Sequence, residues 1–372
     1  MGRERAAAAG RARGDPRRAA RAPERAVRPR RGEEGLTRRA LGIGLWLVVV
    51  AAALALCALL PRLVSDFHSF DLATVGIYFT AIVGLNLLTG YTGQISLGHG
   101  ALMAIGAYTT AILVVHEHWR DVWTIPLAGL VAGAVGFLVG LPALRLSGLY
   151  LALATFALAV AMPALLKKFD HLTGGSGGLG LLETAPSQVT GLSGTVTIFG
   201  HSMTQNHFLY YLSWAIGIVG FALAWLIVRG RVGRTFRAVR DSEVAAVSAG
   251  VNLAAAKTLA FALSGVYAGV AGSLLAIQKE FVGPSTFTFL LSITLLVGAV
   301  VGGLGSLPGM VLGALFIQYL PDLSTRISAA QGVPDAIYGA AIIAIMILLP
   351  TGAGGLLRRL ARPLTSWLYT RP

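Results

Sequence analysis

Few side chains able to do chemistry stand inside the apolar stretches of this 372-residue chain, and they gather in a few short segments. GYTGQISLGHG (90–100) sets Gln94, Ser96 and His99 among four glycines, with Asn86 shortly before. Glycine permits a broken helix or a close backbone approach. Backbone groups freed at membrane depth are tolerated where they are buried in protein or face a water-filled path. Asn86, Gln94, Ser96 and His99 are therefore candidates for meeting the polar groups of a solute on a translocation path. The competing reading is a tight turn whose glycines pack helices. In LTGGSGG (172–178), Gly174, Gly175, Ser176 and Gly177 expose backbone N–H groups suited to a carboxylate or a partner protein, or else form a flexible loop. GGLGSLPG (302–309) reads as a turn between helices. HEH (116–118) offers two histidines at i, i+2 in a short loop, too few ligands for a metal site.

A different chemistry is concentrated in RVGRTFRAVRDSEVAAVSAGVNLAAAK (231–257), which carries five cationic and two acidic side chains between uncharged apolar runs. Asp241 or Ser242 suits a helix N-cap, and Glu243 then lies in the first turn, where the dipole favours an acid. Gly250 and Asn252 suit its end. Val244, Val247, Ser248 and Val251 fall on one face at i, i+3, i+4, i+7. The spacing predicts an amphipathic helix of about two turns lying along the membrane, able either to dock in a groove or to rest on anionic lipid, with Arg234, Arg237 and Arg240 beside it.

The elements holding these segments follow from composition. Hydrophobic residues make up 55% of the chain and charged residues only 12%, against about 25% charged in soluble domains; the mean hydropathy is +0.72. Several runs reach about 20 apolar residues, enough to cross a ~30 Å hydrocarbon core. The fold class is an all-α polytopic membrane protein with about ten transmembrane helices. The runs are 41–60, 72–89, 96–115, 122–141, 148–166, 207–228, 257–277, 286–303, 308–320 and 336–349, and the 47 glycines suit close helix contacts. The single cysteine, Cys57, lies in the first run, which is too long for a signal-peptide core.

Residues 1–39 hold 13 arginines against five acids and almost no large apolar side chains, which reads as a disordered tail. A basic tail before a membrane helix is an orientation and lipid-surface signal rather than a nucleic-acid one. With that tail in the cytoplasm, ten crossings put both termini inside. Arg145, the arginines of 229–240 and the basic C-terminal segment 358–372 then lie inside. The domain plan is a tail (1–39), a transmembrane domain (40–357) with an external loop at 167–206 and a cytoplasmic loop at 229–256, and a basic tail (358–372).

The span interiors carry no Asp or Glu, so coupling to an ion gradient lacks the acids it ordinarily needs. None of the four lysines follows a glycine, so there is no G-x-x-x-x-G-K-[ST] phosphate loop. An active transporter of this composition needs its engine on another chain, together with a cytoplasmic element that receives the force.

GRTFRAVRDSEVAAVSAGVNLAAAKTLAFALSGVYAGVAGSLLA resembles the coupling-loop region of branched-chain amino acid ABC importer permeases, the LivM-type subunit. GLNLLTGYTGQISLGHGALMAIGAY, LPALRLSGLYLALATFALA, LTGGSGGLG and VGGLGSLPGMVLGALF resemble further signatures of that family in the same order, so the likeness spans about residues 41–357. It implies a non-enzymatic permease subunit of the plasma membrane, paired with a sister permease and two ATPase subunits that hold ATP and Mg. An external solute-binding protein delivers the cargo. Arg237, Arg240, Asp241, Glu243, Ala246, Gly250 and Asn252 would form the part of the coupling segment that engages an ATPase. Urea or short amides are the alternative cargo. An ion-coupled transporter or a scaffold built around the basic tail are rivals of another class.

Overall fold

The structure, a computed structural model, describes residues 59–61, 65–181, 195–198, 201–327, 330–356 and 359. These all belong to the unit that begins at Ala52. Nearly all of the first apolar run (41–60, with Cys57), the tail 1–39 and, Arg359 apart, the tail 358–372 lie outside the described residues.

The described chain is a helical bundle. Helix α1 (Asp66–Leu85) runs without a break into a π-helical turn, Asn86–Tyr91. Then come α2 (His99–Val115), α3 (Asp121–Gly140), α4 (Leu149–Lys168) and α5 (Gln205–Arg229). The charged segment forms α6 (Arg231–Asp241) and α7 (Glu243–Ser248). The long α8 (Leu253–Lys279) precedes α9 (Phe289–Gly302), α10 (Met310–Ile327) and α11 (Val333–Leu348). Among the described residues six stretches are long and apolar enough to cross a membrane: Asp66–Tyr91, Asp121–Leu144, Leu149–Lys168, Gln205–Arg229, Leu253–Lys279 and Val333–Leu356. His99–Val115 and Phe289–Gly302 are shorter apolar helices. A helix thus stands at each of the nine apolar runs from 72–89 onward. The run 308–320 belongs to a longer helix than its hydropathy marks, because α10 continues through the polar residues after Tyr319.

Helices α1 and α8 are apolar all round and most of their surface is buried, the arrangement expected of central helices. Glycine sets how closely the neighbours approach. A Cβ at Gly265 would stand 2.5 Å from the carbonyl oxygen of Ala132, and one at Gly136 would stand 2.6 Å from that of Phe261. Gly265 on α8 faces Gly133 and Gly136 on α3, and Gly269 faces Ala128 and Ala132, so along this stretch the two backbones meet with little side chain between them. The outer helices turn large apolar groups outward, including Leu130, Phe137 and Leu138 on α3 and Leu149 and Leu153 on α4. Such exposure opposes folding in water and costs nothing against lipid tails.

Tertiary contacts mark the two ends of the bundle. At one end β1 (Leu179–Gly180) pairs antiparallel with β4 (Phe281–Val282), just past α8. There also the Thr204 hydroxyl donates to Asp66 at 2.9 Å, and β2 (Thr195–Ile198) pairs with β3 (His201–Thr204). At the opposite end gather the π turn, α6, α7 and the 303–309 turn.

Candidate functional site

The site begins where α1 widens into a π turn, a local insertion that often marks functional positions. Asn86 is fully buried there. Its Oδ1 accepts from the Gly305 N–H at 2.8 Å and its Nδ2 donates to the Ser306 carbonyl at 3.4 Å. After Tyr91 the chain folds back into the bundle through 92–98, non-helical from Gly93 onward, before α2 starts. His99 measures how far it goes. Its Nε2 lies 2.8 Å from the Ala81 carbonyl and its Nδ1 3.3 Å from the Ser264 hydroxyl. Ala81 stands ten residues before Tyr91, so α2 opens about 15 Å back along α1 at ~1.5 Å per residue.

Non-helical backbone this deep must have its polar groups satisfied by protein. Neighbouring side chains supply the partners. Thr155 on α4 accepts from the Leu97 N–H at 2.9 Å, and Ser292 on α9 accepts from the Gly100 N–H at 2.9 Å. Ser96 accepts from the Gly98 N–H at 3.3 Å, and the Thr89 hydroxyl donates to the Gln94 carbonyl at 3.1 Å. Asn86, Gln94, Ser96 and His99 are thus brought together along one broken element. All four are buried and bonded within the protein, while Gly93 and Ile95, 44% exposed, form its open face.

The charged segment is built as two helices. In α6, Gly233, Phe236 and Val239 are buried on one face. Ser242 is the N-cap of α7, its Oγ accepting from the Ala245 N–H at 3.2 Å, while Asp241 ends α6 and is exposed. Gly250 closes α7 with φ +82°, and its N–H donates to the Val247 carbonyl at 2.8 Å. Asn252 does not end this helix. Its Oδ1 accepts from the Ala255 N–H at 3.0 Å and caps α8 instead.

The coupling residues read from the sequence therefore divide. Arg237 donates to the Val228 carbonyl at the end of α5 at 3.3 Å, Arg240 donates to the Gly90 carbonyl, and Ala246 is buried. Glu243 also turns inward: its carboxylate accepts from Lys257 Nζ at 2.8 and 2.9 Å and from Gln94 Nε2 at 3.3 Å. Asp241 and Gly250 face outward, as do Val244, 79% exposed, and Val247, 53% exposed. Val251, expected on that apolar face, packs instead with Val239, Ala246 and Ala256.

Lys257 is the site residue that sequence reading missed. Its side chain is 3% exposed, in the opening turns of α8, where the dipole disfavours a cation. A lone lysine at the start of a membrane helix, with a glutamate 14 residues earlier, was the available signal.

At the other end, 174–178 is an ordered strap. Gly174 (φ +68°) terminates the one-turn helix Asp170–Thr173, Gly175 is buried, and Ser176 and Gly177 are exposed. The β1–β4 pairing and a 2.8 Å bond from the Leu181 N–H to the Glu280 carbonyl pin it to the end of α8. Residues 182–194 of the same loop lie outside the described residues. His116, Glu117 and His118 form an exposed turn after α2.

The family described as "Branched-chain amino acid transport system / permease component" matches residues 69–349. The high-affinity branched-chain amino acid transport permease LivM of Salmonella typhimurium (strain LT2) is 33% identical over 315 residues, covering 81% of this chain and 73% of that protein. The corresponding permease LivH of Escherichia coli (strain K12) is 27% identical over 299 residues, covering 77% and 94%. The autoinducer 2 import system permease LsrC of Klebsiella pneumoniae is 32% identical over 165 residues, covering 43% and 47%. No solved structure matches the chain. The match from Ser69 to Leu349 takes in the π turn, the folded-back segment, α6 and α7, and the chain belongs to the branched-chain amino acid transport permease family.

Proposed function

We propose that this chain is the transmembrane permease subunit of an ABC importer that moves branched-chain or related small amino acids into the cell. It is an integral membrane transport subunit, and hydrolysis of ATP, with its Mg, belongs to two separate ATPase subunits. A sister permease completes the pore, as the likeness to both LivM and LivH supports. An external binding protein delivers the solute to the end that carries the 174–178 strap. The chain crosses the membrane about ten times, with both termini and the α6–α7 end in the cytoplasm, as the placement of arginines supports.

One observation carries this reading. Helix α7 stands at the end of the bundle with Val244 and Val247 exposed while Glu243 and Ala246 are held inward. An apolar face on a short, firmly anchored element suits docking in a groove of a soluble partner. Asn86, Gln94, Ser96 and His99 then serve the path through the segment they build. They are buried here, so they would meet solute when that segment moves during alternating access.

Labelled leucine and labelled urea uptake by cells with and without the chain, each with vanadate as a control, tests the assignment. Loss of vanadate-sensitive leucine uptake alone is the expected outcome. Loss of urea uptake alone would keep the machine and replace the cargo, and uptake indifferent to vanadate would remove the ABC mechanism. The likeness to LsrC, named for a different solute, is why cargo is tested separately from mechanism.

A further inference from the structure

The end of α1 and its π turn is buried, so its last carbonyls require donors. The Leu88 carbonyl accepts from the Gln94 N–H at 3.2 Å and from the Thr92 hydroxyl, both close in sequence. The Gly90 carbonyl accepts from a group 150 residues away, the guanidinium of Arg240 on α6. Glycines make the seat. A Cβ at Gly305 would lie 2.9 Å from Arg240 Nη1, and one at Gly93 would lie 3.2 Å from Arg240 Cγ. Gly93 and Gly305 also hold φ of +72° and +78°, a region that L side chains rarely adopt. Asn86 closes the far side through its bonds to Gly305 and Ser306. One arginine therefore links three elements: its guanidinium meets the end of α1 and the 303–309 turn, and its Cγ lies against Gly93 at the start of the folded-back segment. Its own backbone lies two residues before Ser242, the cap of α7.

We infer that Arg240 is a positioning residue, a latch that delivers displacement of α7 to the folded-back segment 92–98 and to the 303–309 turn. This rests on the reading of α7 as the helix that docks on an ATPase. The physical grounds are direction and reach. A long cationic side chain carries a donor from α6 to the buried Gly90 carbonyl, and the cation sits at a helix C-terminus, where the dipole favours it. Gln94 provides a parallel tie, since it joins Glu243 on α7 to the same segment. A rigid-body shift of α6–α7 therefore cannot leave residues 90–94 in place without breaking both contacts. Arg240 thus acts within the permease, whereas Val244 and Val247 offer the face that a partner would touch.

The test uses the complete assembly, with sister permease, ATPase subunits and binding protein, reconstituted in vesicles. Leucine imported per ATP hydrolysed is measured for the wild type and for Arg240→Met, Arg240→Lys and Gly305→Ala. Arg240→Met and Gly305→Ala should lower that ratio about tenfold, the scale of a site-to-site coupling free energy, with the ATPase subunits still co-purifying. Arg240→Lys, which can still donate to the Gly90 carbonyl, should restore most of it. In the purified chain alone, Arg240→Met should speed hydrogen exchange across 90–98 and leave 174–181 as in the wild type. An unchanged ratio in Arg240→Met, or a loss of import that tracks loss of ATPase subunits, would overturn the latch. Wild-type vesicles that import nothing with ATP would show instead that the parent reading has failed, and the latch would fall with it.

Discussion

Lys257 shows at the scale of one side chain why a cation is tolerated at the start of α8. Burial removes its water, and the Glu243 carboxylate replaces it through both oxygens. Such a pair is costly to break from one side, because the remaining charge is stranded. Glu243→Gln should therefore destabilise the purified chain by about 2 kcal/mol, less than a fully buried pair would lose because the glutamate still meets solvent. Glu243→Gln combined with Lys257→Met should recover most of that, read as the midpoint of thermal unfolding in detergent. Equal instability in the single and double variants would show that packing, and not the pair, holds this junction. Sequence alone placed Glu243 in the first turn of a helix, where the dipole favours an acid, and did not pair it with the lysine 14 residues downstream. The helix-start position and acidic type were legible, but the partner depended on how α7 folds back on α8.

At the scale of elements, α6 and α7 separate anchoring from docking. Phe236 and Val239 bury one face of α6, Ser242 starts α7 afresh, and Gly250 stops it after six residues. So short a helix is not stable by itself; its shape comes from the cap and from the inward hold on Glu243 and Ala246. Val244 and Val247 are left outside that hold. Replacing both with aspartate should abolish ATP-driven uptake and release the ATPase subunits on purification, while the chain's yield and unfolding midpoint stay within about 0.5 kcal/mol of wild type, the usual range for surface changes. Retention of the ATPase subunits by this variant would move the docking surface elsewhere. The apolar face of this helix was readable from i, i+3, i+4 spacing. That spacing also included Val251, which the structure turns into the small cluster with Val239 and Ala256, because Gly250 reverses the chain before it.

For the molecule as a whole, the two ends have different characters. One carries the strap at 174–178 and the β1–β4 pair; the other carries α6, α7 and the Arg240 seat. The proposed orientation puts the first outside the cell. In a variant with Cys57 replaced by serine, Ser176→Cys should react with a membrane-impermeant maleimide in intact cells. Val244→Cys should react only after the membrane is opened. The reverse labelling would invert the orientation and with it every partner assignment. Both positions are exposed in the chain by itself, so when it is expressed without the ATPase subunits and the binding protein, access to the thiol reports the side of the membrane and not burial.

By itself the sequence determined the class, the helices and most of their limits. Apolar runs of membrane length, glycines at close spacing, a helix start at Asp241 or Ser242, a helix end near Gly250 and arginines in short loops are local properties, set by residues near one another in the chain. Only the tertiary structure decided which helices are central, that the chain folds back after Tyr91 to the depth of Ala81, and that Asn86, Gln94 and His99 are satisfied within the protein. It also joined Arg240 to Gly90 and Glu243 to Lys257. The physical reason is the same in each case. A buried polar group must find a partner, and where the local backbone cannot supply one, the partner comes from another helix, whose position no sequence period encodes.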